Sequence, residues 1–432
     1  MKSKFSFPLL QDADLKGKIV LVRVDHNVVK KGLIHDPYRI DATIGTLYYI
    51  NAKGGKIILM THVGRPKNKK TGEIAVGEDT SVQPIVDYLQ NKLHITLKVP
   101  EFQPHGNSGY LGIETSINHL IRDLRENVID GIYLPNTRWF AGEEAKGEEA
   151  DRFAYQLAGL ADLFVNDAFG SWQPHASTVG VTRYLHSFAG FLMQKEITNL
   201  DRIFKPERPF VAVVAGAKFD TKVDSLNALL KICDHLVLGG VIYNAYLCAK
   251  YGFEISGIGA DDLEHARAFV DFEKDYPGKL IELPYIVESD SMEGKIDGQF
   301  RTHDIRKLKA GTRLNYVLDA DPASFHEPDV LKIFSEAHTI FVNAVMGFTP
   351  HFNEGTIALD ELIDKNLKAV KLYGGGDTMQ ELKRLLPGLY IVALDNPMYY
   401  IFTGGGAVLK AIQENSVYGM EPVKALVAQK KL

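Results

Sequence analysis

Several polar residues sit directly after short apolar runs that read as buried strands. Asp25-His26-Asn27 follows Ile19 to Val24, His62 and Arg65 follow Ile57 to Thr61, Asn136 and Arg138 follow Ile132 to Leu134, and Asn166-Asp167 closes Phe164 to Val165. In an open parallel sheet, ligands bind beyond the carboxyl ends of the strands, so these residues would share one rim. Arg39, after Asp36-Pro37 at a helix start, joins them. Guanidinium groups match carboxylate and phosphate with two parallel hydrogen bonds, and Asp and Asn bond hydroxyls, so the chemistry indicated is retention of a small acid. Taken singly, each is better explained by an exposed arginine or a helix-capping aspartate. Their shared position at strand ends is what singles out the set.

A second constellation occupies the latter half of the chain. Ala215-Gly216-Ala217-Lys218, Gly374-Gly375-Gly376-Asp377 and Gly404-Gly405-Gly406 each open a helix-like run. Backbone N–H groups and helix dipoles at such breaks converge on a polyanion, and a nucleotide phosphate chain is the fitting guest. Lys218 and Lys222 are expected four apart on one helical face, where both reach phosphates as point charges. Asp377, beside Thr378, has the chemistry to hold Mg²⁺, which takes one or two carboxylates together with phosphate oxygens and water; a plain helix cap accounts for it equally well. Neither GxxxxGK[ST] nor GxGxxG occurs at these turns, which disfavours a P-loop enzyme and a typical dinucleotide dehydrogenase.

The elements that must carry these residues alternate between strand and helix. Strands are expected at Lys18 to Asp25, Lys56 to Val63, Gly131 to Leu134 and Leu163 to Ala168, with helices at Arg39 to Lys53, Val82 to Leu93 and Gly147 to Ala161. The pattern restarts after Pro209: strands at Phe210 to Val214, Leu236 to Gly239, Leu314 to Leu318, Thr339 to Val342, Ala369 to Tyr373 and Tyr390 to Leu394, and helices at Asp220 to Ile232 and Ala407 to Gln413. Such alternation implies an α/β fold of two doubly wound parallel-sheet, Rossmann-like domains. A helical hinge, Met193 to Phe204 followed by Pro206 and Pro209, joins them. The expected domains are 1–190 for the acid, with 419–432 returning to it, and 191–418 for the nucleotide. The polar stretch from Gly64 to Asp79 reads as a surface loop.

Composition bounds the rest. At 432 residues the chain exceeds what one core usually serves. A 45% hydrophobic, 24% charged composition is that of a globular protein, and a net charge of −5 supplies no broad basic field, so no nucleic-acid partner is expected. Cys233 and Cys248 lie in apolar runs with neither disulfide nor metal-ligand spacing. The amino end lacks the apolar core of a secretory signal and no 18-residue apolar run occurs, so a cytoplasmic protein with no membrane association is expected.

Val22-Arg23-Val24-Asp25-His26-Asn27, Asp36-Pro37-Tyr38-Arg39-Ile40, Thr61-His62-Val63-Gly64-Arg65-Pro66, Asn136-Thr137-Arg138-Trp139, Val165-Asn166-Asp167-Ala168-Phe169-Gly170, Gly216-Ala217-Lys218, Gly374-Gly375-Gly376-Asp377-Thr378 and Thr403-Gly404-Gly405-Gly406-Ala407 together resemble phosphoglycerate kinases, in that family's order, from about Leu15 to the carboxyl end. The resemblance implies a glycolytic, two-lobed, monomeric kinase that moves a phosphoryl group between 1,3-bisphosphoglycerate and ADP, or from ATP to 3-phosphoglycerate, with Mg²⁺ and hinge closure. By motif match Asp25, Asn27, Arg39, His62, Arg65, Arg138 and His175 would hold the acid. Gly216, Lys218, Lys222, Asn343, Gly375, Gly376, Asp377 and Thr378 would hold the nucleotide phosphates and metal, with Gly239 and Gly240 near the base. Arg39, Lys218, Gly405 and Gly406 would surround the transferring group.

The chain also departs from the family's pattern. Ser171-Trp172-Gln173-Pro174 precedes His175 where the family carries a histidine and a phosphate-binding arginine. Asn343-Ala344-Val345-Met346-Gly347-Phe348-Thr349-Pro350 ends in proline where the family has a ribose-binding glutamate, leaving Glu354 as the nearby substitute. His26 stands for a phenylalanine, Val241 for a glycine and Phe402 for a serine. Alternatives therefore remain: a sister kinase acting on a different small carboxylic acid, or a catalytically silent paralogue with a scaffold role.

Overall fold

The computed structural model describes residues 5–429. The chain divides into two compact units, Met1–Ile197 together with Tyr418–Leu432, and Thr198–Val417. The division falls within helix Phe191–Phe204, a little beyond the boundary at 190 read from the sequence.

The first unit is built on strands β1 (Ile19–Val24), β2 (Lys56–Met60), β3 (Leu97–Lys98), β4 (Gly131–Tyr133), β5 (Leu163–Asp167) and β6 (Ser187–Ala189). They form one sheet in the order β3-β4-β2-β1-β5-β6, parallel throughout. Alternate residues along each strand feed separate cores on opposite faces. Ile19, Leu21, Ile58, Met60, Ile132 and Phe164 enter one, and Val20, Val22, Val24, Ile57, Leu59 and Val165 the other. Both faces are covered by helices, which is why these strands read as continuous apolar runs rather than alternating ones. Chain order reverses direction at β1, so its carboxyl end opens onto the crevice where such folds bind ligands.

In the second unit β7 (Phe210–Gly216), β8 (His235–Gly239), β9 (Leu280–Ile281), β10 (Thr339–Asn343), β11 (Val370–Gly374) and β12 (Tyr399–Phe402) make a second all-parallel sheet, in the order β9-β8-β7-β10-β11-β12. Its reversal lies between β7 and β10. The carboxyl-terminal helix Glu421–Gln429 belongs to the first unit, where Gln429 Nε2 donates to Thr182 O at 2.7 Å. Residues 430–432, the end of the expected returning segment, lie outside the described residues.

Four expectations about elements are corrected. Tyr390 to Leu394 is helical, inside Pro387–Asp395, and the edge strand comes later, at Tyr399–Phe402. Pro387 sits at the first helical position, and only Tyr390 and Ala393, three apart, turn inward, while Ile391 and Val392 are 64% and 56% exposed. The run near Leu314 joins neither six-stranded sheet and is not one strand: Arg313–Leu314 pairs parallel with the short strand Glu254–Ile255. Tyr316–Ala320 pairs antiparallel with Tyr285–Ser289, which in turn pairs with Phe300–Asp304. The helix expected from Arg39 to Lys53 is two, Tyr38–Asp41 and Ile44–Ala52, broken at Thr43, whose hydroxyl donates back to Ile40 O at 2.8 Å. Lys218 and Lys222 share no helical face, because the helix begins only at Val223. The turn before it is pinned by the buried Phe219, whose backbone N–H donates to Asp262 Oδ1 at 2.7 Å.

Candidate active site

In the first unit the carboxyl ends of β1, β2 and β4 bring most of the acid-binding set together. Asp25 is buried; its Oδ2 lies 3.3 Å from Arg39 Nη1, while its Oδ1 is buried with no partner among the described residues. Asn27 Oδ1 accepts from the Gly64 N–H at 2.8 Å, tying the β1 end to the β2 loop. Arg138 Nη1 donates to Gly64 O at 2.6 Å. Its Nε lies 2.9 Å from Glu144 Oε1, off the hydrogen-bonding axis, so this is an ion pair and not a hydrogen bond. Thr137 Oγ1 and Asn166 Nδ2 are also buried without partners on this rim. Unsatisfied buried polar atoms are rare in folded proteins, and their clustering at strand ends marks a place where a polar ligand supplies the missing bonds.

His62 is held at the centre of this rim. Its Nδ1 is 3.1 Å from Arg23 Nη2 and 3.5 Å from Ser171 Oγ. Burial pushes its pKa well below the usual histidine range, and the positive charges of Arg23, Arg138 and Arg39 and the nearby His175 push it further the same way. The ring is therefore neutral amid a cationic field, which favours an incoming anion. His175 sits beside Glu144, 3.9 Å away, and burial lowers its pKa too, against the pull of Glu143 and Glu144. Arg65 stands apart, exposed at the loop base with no partner among the described residues.

His26 shows how the rim is braced. Thr43 spends its one hydroxyl proton on Ile40 O, so it must accept from His26 Nε2–H, 2.9 Å away; His26 Nδ1 then accepts from Tyr133 OH at 2.9 Å. Burial drives the histidine down to about 3, so it stays neutral. The residue between Asp25 and Asn27 is thereby tied to the end of the turn carrying Arg39.

The second unit contains a cavity of about 680 Å³ at its β7–β10 reversal. Lys222 Nζ donates to Ala215 O and, at 2.9 Å, to Asn343 Oδ1, while Asn343 Nδ2 donates to Gly374 O at 2.6 Å. Burial lowers the Lys222 pKa to about 8, partly offset by Asp377. Gly216, Gly240, Gly375, Gly376, Asp377 and Thr378 line the same cavity. Gly375 adopts φ +124°, a conformation that L side chains rarely adopt, and so turns β11 into helix Gly376–Leu385. A Cβ added at Gly405 would lie 2.3 Å from the Gly375 backbone, so two bare glycines let the amino ends of helices Gly376–Leu385 and Gly405–Gln413 meet. Two positive helix ends then meet, and the first shares the cavity wall with the half-buried Lys222, while Gly405 and Gly406 do not line the cavity.

Other expected residues fall outside the cavity. Lys218 is exposed and is not in the cavity wall. Gly239 lies behind the wall, where a Cβ would strike Met346 Sδ and Cε at 2.6 Å. Glu354 is turned away to Lys295 and does not border the cavity, so it is no substitute for the ribose-binding carboxylate. Lysine capture at an exposed helix start is the physical reason.

Arg23 went unassigned in the sequence, although an arginine inside the apolar run of β1 was a visible signal. It is fully buried, donates through Nε to Ser177 Oγ at 2.9 Å and touches His62; Ser177 Oγ in turn donates to the buried Glu143 at 2.6 Å. Glu143 and Glu144, which offset and orient the rim's positive charge, were also missed.

A family model described as phosphoglycerate kinase matches residues 10–415. Proteins named phosphoglycerate kinase from Dictyoglomus turgidum and Desulforudis audaxviator are 34% and 32% identical to it over 423 and 428 residues, covering 95% of this chain and 96% and 97% of theirs. The chain belongs to the phosphoglycerate kinase family. That places it among phosphotransferases that use a carboxyl group as acceptor. The fold agrees. The solved phosphoglycerate kinase of Coxiella burnetii, 25% identical, superposes with a TM-score of 0.74 over 98% of this chain and 99% of its own. The Pyrococcus horikoshii enzyme, at 22% identity and a TM-score of 0.76, shares the fold over the same proportions.

Proposed function

We propose that this phosphoglycerate kinase family member transfers the acyl phosphate of 1,3-bisphosphoglycerate to ADP, giving 3-phosphoglycerate and ATP, and runs the reverse reaction when ATP is in excess. The observation that carries this reading is the apposition of Gly375 and Gly405, which brings two helix amino ends together, the first of them in the same cavity wall as Lys222. That is a phosphate site of the kind phosphoryl transfer needs, where catalysis is mostly alignment and charge stabilisation. Lys222, Asn343, Gly375, Gly376 and Thr378 would grip the nucleotide phosphates. Asp377, an exposed carboxylate in the first helical turn, would hold Mg²⁺ together with phosphate oxygens, and the ion would neutralise charge on those oxygens.

On the first unit Asp25 and Asn27 would bond the acid's hydroxyl and carboxyl oxygens, while Arg65, Arg138, His62 and His175 would receive its phosphate. Arg39, Lys218 and the amides of Gly405 and Gly406 would surround the transferring group. One oxygen–phosphorus bond breaks at the acyl oxygen as another forms at the ADP β-phosphate, so no general base is required. Hinge closure at helix Phe191–Phe204 would deliver one substrate to the other; small-angle scattering that shows no compaction with both ligands bound would count against it. The working compartment of such an enzyme is the cytoplasm, and a monomer suffices.

A second reading, a different small acid, draws on the rim itself. Arg138 is already paired with Glu144, and Ser171 stands beside His62 in the altered loop. A coupled assay with 3-phosphoglycerate, ATP and Mg²⁺ decides: turnover supports the first reading, turnover with other carboxylic acids alone supports the second, and transfer to none overturns both.

A further inference from the structure

Every side-chain nitrogen of the fully buried Arg23 has a partner: Nε donates to Ser177 Oγ at 2.9 Å, Nη1 to Val24 O, and Nη2 to His62 Nδ1 at 3.1 Å. A guanidinium carries no acceptor, so His62 Nδ1 must be the bare nitrogen of its ring, and the proton sits on Nε2. Ser171 Oγ lies 3.5 Å from the same Nδ1 and can only add a second donor there. His62 Nε2 has no partner among the described residues, yet is not enclosed by protein.

Behind Arg23, Ser177 is turned to match. Its hydroxyl oxygen accepts from Arg23 Nε–H and sends its one proton to Glu143 Oε1 at 2.6 Å, while its backbone N–H donates to Glu143 Oε2 at 3.0 Å. Glu143 and Ser177 are both fully buried. Donors and acceptors therefore alternate without a break from Glu143 to His62, and the carboxylate that balances the buried guanidinium also sets the direction of the hydroxyl between them.

Resting on the proposed acid-binding role of His62, we infer that Glu143 is a positioning residue: through Ser177 and Arg23 it fixes His62 in the Nε2–H tautomer and so presents a neutral N–H donor to the phosphate of the acid. An unconstrained imidazole would divide its proton between two nitrogens, and the Nδ1–H form would set two donors against each other at Arg23. Turning the ring over would place a carbon against the guanidinium instead. A donor oriented before the ligand arrives costs no reorganisation when it binds. Glu143 is enclosed by protein and never meets the acid, so its whole effect passes through the relay.

Long-range proton–nitrogen correlation NMR of isotope-labelled histidine side chains in the full chain tests this, with His62 assigned by the signal lost in His62→Asn. The native protein should show His62 as the Nε2–H tautomer alone at neutral pH. Glu143→Gln, which sets an amide donor where Ser177 needs an acceptor, and Ser177→Ala, which frees Arg23 Nε, should each give a mixture of tautomers. Both should weaken 3-phosphoglycerate binding by about 10- to 100-fold in calorimetry. Ser177→Thr keeps the hydroxyl and should restore both readouts towards native. The native spectrum and the two Ser177 variants stand even if Glu143→Gln fails to fold. A native His62 in the Nδ1–H form, or in a mixture, overturns the assignment, and weaker acid binding with the tautomer unchanged in the variants overturns the relay. A single Nε2–H tautomer in a native protein that binds no 3-phosphoglycerate overturns the acid reading and leaves the relay in place.

Discussion

Lys222 should make nucleotide affinity fall steeply with pH. Its ammonium is buried among Ala215 O, Asn343 and the cavity wall, and burial lowers its pKa to about 8. A bound phosphate beside it favours the charged form and raises that pKa, so binding takes up a proton above pH 8. The sign follows: affinity is complete below the free-state pKa and is lost as pH climbs through it. With the lysine about nine-tenths protonated at pH 7 and about one-tenth at pH 9, the ADP dissociation constant should weaken roughly tenfold over those two units. The second ionisation of a phosphate, near pH ~6, is finished before this window opens. Lys222→Arg keeps its charge throughout and should flatten the profile. Lys222→Met should also be flat, but weaker at pH 7 by roughly 10- to 150-fold, the worth of one charged hydrogen bond at about 1.5–3 kcal/mol. Titration calorimetry at fixed ionic strength measures all three. A native profile that is level from pH 7 to 9, or a slope that survives in the arginine variant, would refute the assignment of Lys222 to the phosphates.

Arg39→Ala should lower kcat by at least about 10²-fold while unfolding remains cooperative, as expected for loss of one preorganised donor; an unchanged rate in the coupled assay removes Arg39 from the mechanism. Gly405→Ala must displace the Gly375 backbone, so urea denaturation should show a loss of roughly 1–3 kcal/mol and calorimetry a weaker ADP complex. His26→Phe leaves the Tyr133 hydroxyl and its Thr43 bond unpartnered in a buried site and should cost about 1–3 kcal/mol, with Tyr133→Phe added on top recovering part of the loss; additive destabilisation in the double variant would contradict the network.

The strand-end residues were legible because β1, β2, β4, β5, β7, β10 and β11 are short apolar runs buried on both faces, each punctuated by polar or glycine residues where it leaves the sheet. What the sequence could not carry was long-range pairing. Gly374-Gly375-Gly376 and Gly404-Gly405-Gly406 each suggested a helix entrance, but only the sheet order sets β11 beside β12 and brings Gly375 against Gly405. Lys218 and Lys222 looked equivalent by spacing; a buried Phe219 between them holds the turn open and leaves one exposed and the other in the cavity. Tyr390 to Leu394 misled for the opposite reason. Its apolar side chains read as a strand, whereas Pro387 starts a helix that leaves Ile391, Val392 and Leu394 in solvent. Arg23 was hidden by its surroundings, since a charge within an apolar strand is a weak signal until Ser177, Glu143 and His62 are seen around it.

The most direct test is a crystal structure with ADP, Mg²⁺ and 3-phosphoglycerate bound. The account predicts the nucleotide phosphates against Lys222 and the amino end of helix Gly376–Leu385, and the acid against Asp25, Arg39 and Arg138. A nucleotide bound elsewhere, with the Lys222 and Gly375 surroundings untouched, would contradict it.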